Sequence, residues 1–529
     1  MPGKHHIEIY DTTLRDGAQM DGITFTVADK LEIIKKLDAQ GVQFIEAGWP
    51  GANEVDSNVF KEAQFLDLMN ATVVAFGMTC HKGKKPDEDK FLPQLLHSGA
   101  QIIALVGKSS RFHVERVLET TLEENLRIVQ ASCEYVLRNN REVFFDAEHY
   151  FDGFKEDPEY AFNVLQAAIK GGASRIILCE TNGGCLPSEI RQIVNQTRKE
   201  FPGTLFGIHT HNDMGLAVAN SLAAVECGVV QVQGTINGFG ERCGNADLCT
   251  VIPILQKKKG MNCVLDQQLP LLTETSRFVA EIANVAQNPF QPFVGSAAFG
   301  HKGGMHGQGQ GKDQKSYQHI NPEVVGNRSK IIISDKAGRA NIKLKAKELG
   351  VPLESSDIDE VLAEIKAKEA QGYQFDVAIA SAELLILKRK AGYRPPFELL
   401  YRRGISEKKK NGNPKDESTV RVVTNNHKRK TTYQVGLSKD GMLDSLDKAL
   451  RRALALQFGK IIRSLKLTDY KVRPVNDVAR KGTRSFVRVL ISFTSNKRTW
   501  TTIGFSVDVV EASCQALLDG FEYAILTSQ

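Results

Sequence analysis

No run of apolar residues in this 529-residue chain approaches the roughly 20 needed to cross a bilayer, which excludes helical membrane spans. The opening residues, Met-Pro-Gly-Lys-His-His, carry no apolar signal region and lead directly into a strand-like run at Ile7. The nine cysteines include no CxxC pair and are odd in number, so they read as reduced thiols rather than a disulfide framework. A cytoplasmic location is the expectation. Excess charge is also confined to a single stretch. The net charge is +6, and residues 402–430 hold ten Lys/Arg against three Asp/Glu, which leaves the remainder close to balance. That stretch has no aromatic interleaving, so a nucleic-acid partner is not expected. Its centre, Lys408-Lys-Lys-Asn-Gly-Asn-Pro414, reads as a solvated linker. Hydrophobic residues at 42% and charged residues at 25% suit an ordinary globular protein.

Two short runs carry the chemistry. Asp11-Thr-Thr-Leu-Arg-Asp-Gly17 sets the Asp16 carboxylate beside the Arg15 guanidinium, just past the run Ile7-Glu-Ile-Tyr10. His209-Thr-His211 closes the run Leu205-Phe-Gly-Ile208, and strand alternation puts both imidazoles on one face about 7 Å apart. Two imidazoles and a carboxylate suffice to hold a divalent metal with positions left open for substrate. A single strand histidine is more often a satisfied polar residue than a ligand, so the reading depends on whether the fold unites residues 16, 209 and 211.

The intervening sequence implies that it does. Apolar, β-branched-rich runs recur near residues 6–11, 43–49, 72–78, 101–107, 142–149, 174–181, 205–211 and 229–237. Helix-like stretches separate them, such as Ala28–Gln40 with Leu31, Ile34 and Leu37 on one face. Eight strand-then-helix units at a period of about 30 residues call for a TIM (β/α)8 barrel. Arg15, Asp16, Glu148, Thr181 and both histidines then fall at the C-terminal ends of strands, the face where such barrels build active sites.

The chain is too long for a barrel alone. The barrel is expected over residues 1–285. A His/Gly-rich linker subdomain follows over 286–345, where Gly300-His-Lys-Gly-Gly-Met-His-Gly-Gln-Gly suggests a loop without regular structure. Residues 346–400 read as a helical subdomain and 401–417 as the basic linker. Residues 418–529 form an α+β domain, with strands near 419–424, 431–436, 485–494 and 498–506 and helices near 442–459 and 508–526. A regulatory or dimerising module is the plain reading of that domain.

In this reading Asp16, His209 and His211 are metal ligands and Asn245, just past the eighth strand, is a fourth candidate. Mixed nitrogen and oxygen donors suit Mn2+, Co2+ or Zn2+, while Mg2+ prefers oxygen. The fitting substrate group is a chelating 2-oxo acid. Arg15 would stabilise oxyanion charge and Glu148 would move a proton or orient the group that does. Thr181 would donate to the substrate carboxylate, or else cap a helix.

Asp11-Thr-Thr-Leu-Arg-Asp-Gly17, His209-Thr-His-Asn-Asp213 and Gly238-Phe-Gly-Glu-Arg-Cys-Gly-Asn245 resemble the three signatures of the DRE-TIM metallolyases. More narrowly, nearly the whole chain resembles the 2-isopropylmalate, homocitrate and citramalate synthase group, acyltransferases that convert acyl to alkyl on transfer. That resemblance implies a divalent metal held by Asp16, His209 and His211 with Asn245 close by, and acetyl-CoA as co-substrate. It also implies deprotonation of the acetyl methyl, attack of the enolate on the ketone and hydrolysis of the thioester. His306 in Gly303-Gly-Met-His-Gly307 and the following Tyr317 resemble residues that reach into the neighbouring subunit's site, so a homodimer with shared active sites is implied. His301 is a competitor for the role of His306.

One departure separates branches. Isopropylmalate synthases usually read Asp-Gly-Glu-Gln where this chain has Asp16-Gly-Ala-Gln19. Ala18, with Gly48-Trp-Pro-Gly51 after strand two, resembles the citramalate synthase branch. That branch implies pyruvate as acceptor, (R)-citramalate as product, isoleucine biosynthesis as the pathway and a branched-chain amino acid as effector. Met78, Leu105 and Phe145 are the expected pocket walls. The alternatives are a different 2-oxo acid, a lyase resembling hydroxymethylglutaryl-CoA lyase, and an inactive barrel serving as scaffold for an amino-acid sensor.

Overall fold

The computed structural model describes residues 6–407, 415–425, 429–475, 485–495 and 498–528. They form two units, Met1–Phe299 with Ile320–Arg328 and Gly300–His319 with Ser329–Gln529.

The first unit is a closed barrel of eight parallel strands in sequence order. These are β1 (Glu8–Asp11), β2 (Phe44–Gly48), β3 (Thr72–Met78), β4 (Ile102–Lys108), β5 (Glu142–Glu148), β6 (Arg175–Glu180), β7 (Phe206–Thr210) and β8 (Gln231–Gly234). Closure comes from β1 on β8, with Ile9 opposite Val232 and Asp11 opposite Gly234. Strand alternation divides the apolar residues into two layers. Ile9, Ile45, Ile103, Leu105, Phe145 and Ile208 join the helices in the outer core. Tyr10, Val74, Phe76, Phe144 and Ile177 form a separate inner cluster. The rings of Phe44 and Phe144 meet edge to face at 5.4 Å in that interior, so the barrel is filled beneath its mouth.

Local signals set the helices that pin the strands. The helix Val27–Gln40 starts at a capping box of Thr26 and Asp29 and stops at Gly41, whose φ is 85°. It buries Ile33, Ile34 and Leu37. Leu105 and Phe145 face this outer layer and are wholly buried there, so neither is a pocket wall. One residue of phase decides which layer a strand side chain enters.

In the second unit the glycine-rich segment is more ordered than its composition suggests. A helix runs over Gly304–Lys312, and the short strands β9 (Gly300–His301) and β10 (Lys330–Ile331) pair in parallel. Helices Arg339–Glu348, Ser355–Gln371 and Ile379–Leu387 follow. The C-terminal part is a repeat of three antiparallel strands and a helix. The first copy is β11 (Phe397–Glu407), β12 (Lys415–Thr424), β13 (Lys430–Ser438) and the helix Met442–Ser464. The second is β14 (Lys466–Val475), β15 (Phe486–Ser495), β16 (Arg498–Ser506) and the helix Val509–Thr527. Both copies share one core, with Val420, Leu446 and Leu450 from the first and Ile491, Leu517 and Phe521 from the second.

Two of these strands correct the sequence reading. β11 occupies the end of the expected helical subdomain and much of the expected linker 401–417, whose residues 408–414 lie outside the described residues. β14 was not expected at all. Each first strand carries a bulge, between Leu399 and Tyr401 and between Leu467 and Asp469. A bulge shifts the period-2 pattern by one residue and hides the strand from periodicity.

The repeat extends to single residues. Gly436 is the seventh residue of β13 and Gly504 the seventh of β16. A Cβ at Gly436 would lie 1.9 Å from the Ser445 carbonyl oxygen, and one at Gly504 would lie 1.8 Å from that of Ala512. Each glycine therefore lets a helix backbone rest directly on its sheet. Gly504→Ala and Gly436→Ala should each cost about 2 kcal/mol or more, since the obstacle is backbone. Gly459→Ala, whose nearest neighbour is the flexible Arg463 side chain at 3.5 Å, should leave stability unchanged or slightly raised. Urea titrations followed by circular dichroism separate the three variants.

Candidate metal centre at the barrel mouth

The first signature is a turn bolted to the last strand. Asp11 accepts from the Thr13 amide at 2.9 Å and from its hydroxyl at 2.8 Å. Thr13 Oγ1 in turn accepts the Ile236 amide at 2.9 Å, and the Thr12 hydroxyl donates to the Gly234 carbonyl. Leu14 is buried as an anchor. Arg15 and Asp16 are thereby held over the mouth, beside β8.

The third signature closes over the first. The Glu241 amide donates to Asp16 Oδ1 at 3.3 Å, and Arg242 binds Asp213 and the Thr181 carbonyl. Gly244, with φ of 90°, passes so close to the Gly238 carbonyl that a Cβ would fall 1.9 Å from it. Only glycine suits that crossing.

The structure brings Asp16, His209 and His211 together. The two Nε2 atoms stand 3.4 Å apart, and Asp16 Oδ2 lies 3.7 Å from that of His209 and 3.9 Å from that of His211. Tetrahedral ligand atoms about 2.1 Å from a cation stand about 3.4 Å apart, so the set is nearly preformed. Asn245 pairs with His211 through a backbone bridge. Both atoms of its side-chain amide are buried without a partner, as is His211 Nδ1. Buried orphans cost about 1–3 kcal/mol each, and an amide beside two imidazoles and a carboxylate is the donor set a divalent cation accepts. The residues fit the group.

Electrostatics agree. Burial alone would raise the Asp16 carboxyl, but Arg15, followed by the two histidines, overrides it and holds it well below the usual range. Burial pushes His209 down to about 3, with His211 reinforcing the shift. Burial lowers His211 as well. At neutral pH the cluster is one carboxylate and two neutral imidazoles, the charge state in which such groups ligate.

Above the cluster lies a cavity of about 400 Å3. Arg15 crosses its wall, donating to Asp16 Oδ2 at 2.8 Å, pairing with Glu46 through Nε and stacking 4.0 Å over the Phe76 ring. Its guanidinium is therefore bound to Asp16. Glu148 lines the cavity in an ion pair with Lys108. Thr181 also lines it, and its Oγ1 accepts the His149 amide at 2.8 Å. It caps no helix, since the next one begins at Pro187. It secures His149, whose φ is 58°. Met78 does line the cavity, together with Trp49, Phe76 and Val106.

His306 and Tyr317 belong to the second unit. Their rings stack at 4.1 Å and both are exposed, while His301 is buried 6.0 Å from His306. The stack favours His306 as the partner of Tyr317.

Sequence reasoning missed Glu46, Asp146 and Gln233. Glu46 accepts from the Tyr10 hydroxyl at 2.6 Å and from Arg15. Gln233 joins His209 to Asp146. Each is a polar residue between apolar neighbours in a buried strand, a signal that marks an inward position once the register is known.

A parallel barrel carrying two histidines and a carboxylate at the C-terminal ends of its strands defines a metal-dependent barrel enzyme. The chain matches the HMGL-like family over residues 6–279. Residues 293–373 match the homocitrate synthase post-HMGL domain-like family and 376–525 the LeuA allosteric (dimerisation) domain. It is 45% identical to an (R)-citramalate synthase from Aquifex aeolicus over 99% of this chain and 98% of the relative. It is 44% identical to one from Geobacter sulfurreducens over the same shares. A probable 2-isopropylmalate synthase from Methanopyrus kandleri is more distant, at 30% over 97% of each chain. The chain belongs to the HMGL-like family and, within it, to the citramalate synthases.

One buried acid gives the site a measurable pH signature. Burial, reinforced by Glu46, pushes Asp146 up from 3.8 to about 8, against the opposing pull of Arg15. A folded value above the unfolded one means that the bound proton stabilises the fold fully below about pH 4. That contribution fades as pH rises and is gone above about 8. Relative to Asp146→Asn, the wild-type chain should lose about 1 kcal/mol of stability per pH unit across this window. Urea titrations from pH 5 to 9 measure the difference, and parallel curves would contradict the assignment.

Proposed function

We propose that the chain condenses acetyl-CoA with pyruvate and hydrolyses the resulting thioester, giving (R)-citramalate and free CoA. The observation that carries this reading is the Asp16, His209 and His211 cluster, with donor atoms within 4.8 Å of one another, set in a small cavity beside Arg15. The names of the full-length relatives support the choice of substrate.

A cation bound by Asp16, His209 and His211, with Asn245 as a further ligand, would supply Lewis-acid polarisation of the 2-oxo group. Mn2+, Co2+, Zn2+ and Mg2+ are the candidates. The chain's own groups do the rest. Arg15, fixed by Glu46 and Asp16, faces the cavity with a delocalised charge that stabilises the oxygen of the former ketone as the carbon–carbon bond forms. The acetyl methyl loses a proton as its carbon bonds to the ketone carbon, and that oxygen gains one. Glu148 stands at the cavity wall to carry this proton traffic, with Lys108 holding its carboxylate. Thr181 keeps its hydroxyl hydrogen available, because its oxygen serves as acceptor to His149, and donates to the substrate carboxylate. Water then cleaves the thioester, leaving a second carboxylate and the free thiol.

The acceptor is small because the wall is bulky. Trp49 and Phe76 meet edge to face at 5.7 Å, with Met78 and Val106 beside them. His306 and Tyr317 complete the site from a partner subunit in a homodimer, and the C-terminal repeat binds isoleucine as feedback effector. The LeuA-type match over residues 376–525 supports these two points.

Thiol release from acetyl-CoA with Mn2+ tests the reaction, comparing pyruvate, 2-oxoisovalerate and 2-oxoglutarate. Strong preference for pyruvate is expected. Preference for another acid would move the enzyme to a sister activity, and no release with any would overturn the condensation. Met78→Ala should reduce the preference for pyruvate over 2-oxoisovalerate by about tenfold, because a few methylenes are worth about 1–3 kcal/mol.

A further inference from the structure

The two histidines of the cluster are held unequally. His209 Nδ1 lies 3.0 Å from Gln233 Oε1, whereas His211 Nδ1 is buried without a partner. A neutral imidazole carries its proton on one ring nitrogen and a lone pair on the other. Whatever faces Nδ1 therefore decides whether Nε2 can ligate. In His209, Nε2 is the atom turned toward His211 and Asp16.

An amide facing Nδ1 has two opposite effects, depending on which end it presents. Its oxygen accepts Nδ1–H and leaves the Nε2 lone pair free. Its NH2 would donate to Nδ1 and force the proton onto Nε2, where it blocks a cation. The far side of Gln233 bears on the choice, since Gln233 Nε2 lies 3.4 Å from Asp146 Oδ1. Asp146 Oδ1 accepts the amide N–H, a role its carbonyl oxygen keeps while the carboxyl holds a proton, and the amide oxygen is left for the imidazole. Gln233 is wholly inaccessible to solvent, and Asp146 and His209 are 3% and 5% exposed, so bulk water cannot substitute for either bond.

We infer that Gln233 is a positioning residue for the cation: anchored by Asp146, its amide oxygen holds His209 in the Nδ1–H tautomer with Nε2 free toward Asp16 and His211. Register explains why one strand does this. Gln233 stands directly opposite His209 in the β7–β8 pair, so both side chains leave the sheet on the same face. His211, one turn of the pleat beyond, has no such neighbour. Of the two rings, His209 is therefore the one whose tautomer a protein side chain sets.

This inference rests on the reading of Asp16, His209 and His211 as cation ligands, and the test separates the two. The full-length chain, stripped with a chelator, is titrated with Mn2+ by calorimetry. Gln233→Leu should bind Mn2+ about 10–100-fold more weakly. Gln233→Glu, which keeps an acceptor for Nδ1–H, should stay within about threefold of wild type, as expected for a hydrogen-bonded carboxylate behind a ligating histidine. In chains labelled with 15N-histidine and free of metal, the wild type should show a ring with the Nδ1–H signature that disappears in Gln233→Leu. Should Gln233→Leu fail to fold, Gln233→Asn keeps the amide but falls one methylene short of His209 and should show the same loss. Wild-type affinity in the leucine or asparagine variant, or equal weakness of leucine and glutamate, would overturn the role of Gln233. His209→Ala serves as the separating control. Loss of Mn2+ binding there with retention in Gln233→Leu would remove only the positioning role, whereas unchanged binding in His209→Ala would remove the cation site itself.

Discussion

The pairing of β1 with β8 is the constraint on which the site depends. Asp16 follows β1, His209 belongs to β7, and the loop bearing Glu241 and Asn245 follows β8. In an open sheet of sequential strands β1 and β7 would lie at opposite ends, with Asp16 far from either histidine. Closure makes β1, β8 and β7 consecutive neighbours, and the separation collapses to less than 4 Å between donor atoms. The seam is reinforced where it matters, because Thr12 and Thr13 tie the first turn to Gly234 and Ile236. Fold closure and site assembly are therefore one event.

The mouth concentrates acidic groups. Asp11, Glu46 and Asp146 are all buried beneath it with Asp16, and burial pushes Asp11 up to about 7 and Asp146 to about 8. Arg15 is the cation at the centre of this group, and Asp16, Glu46 and Phe76 engage its Nη1, its Nε and the flat face of its head. A lysine could not make these contacts together, since it lacks the planar fork. The same guanidinium that keeps Asp16 ionised also lines the cavity above the cluster.

Much of this was legible in the sequence, for physical reasons that also explain what was not. The barrel strands are short apolar runs at a regular period, and the observed ones fall within about two or three residues of the expected bounds. The convergence of Asp16, His209 and His211 was legible because chemistry-bearing residues sat at the ends of those runs. Phase within a strand was harder to read. Leu105 and Phe145 were expected at the pocket and lie in the outer layer, while Phe76 and Val106, on the inner phase, line it. Glu46 and Gln233 escaped notice for the same reason, since a polar residue between apolar neighbours in a buried strand has no meaning until its face is known. β11 and β14 were lost to their bulges. The match of Gly436 to Gly504 was visible only once the repeat was folded.

The chemistry turns on one cation held among Asp16, His209 and His211 and receiving the 2-oxo acid. Crystals grown with Mn2+ and pyruvate, measured at the manganese absorption edge, would reveal it. One anomalous peak per chain is expected, about 2.0–2.3 Å from Asp16 and both Nε2 atoms, with pyruvate density adjoining it beneath Arg15. A peak elsewhere, or pyruvate bound away from the cluster, would contradict it.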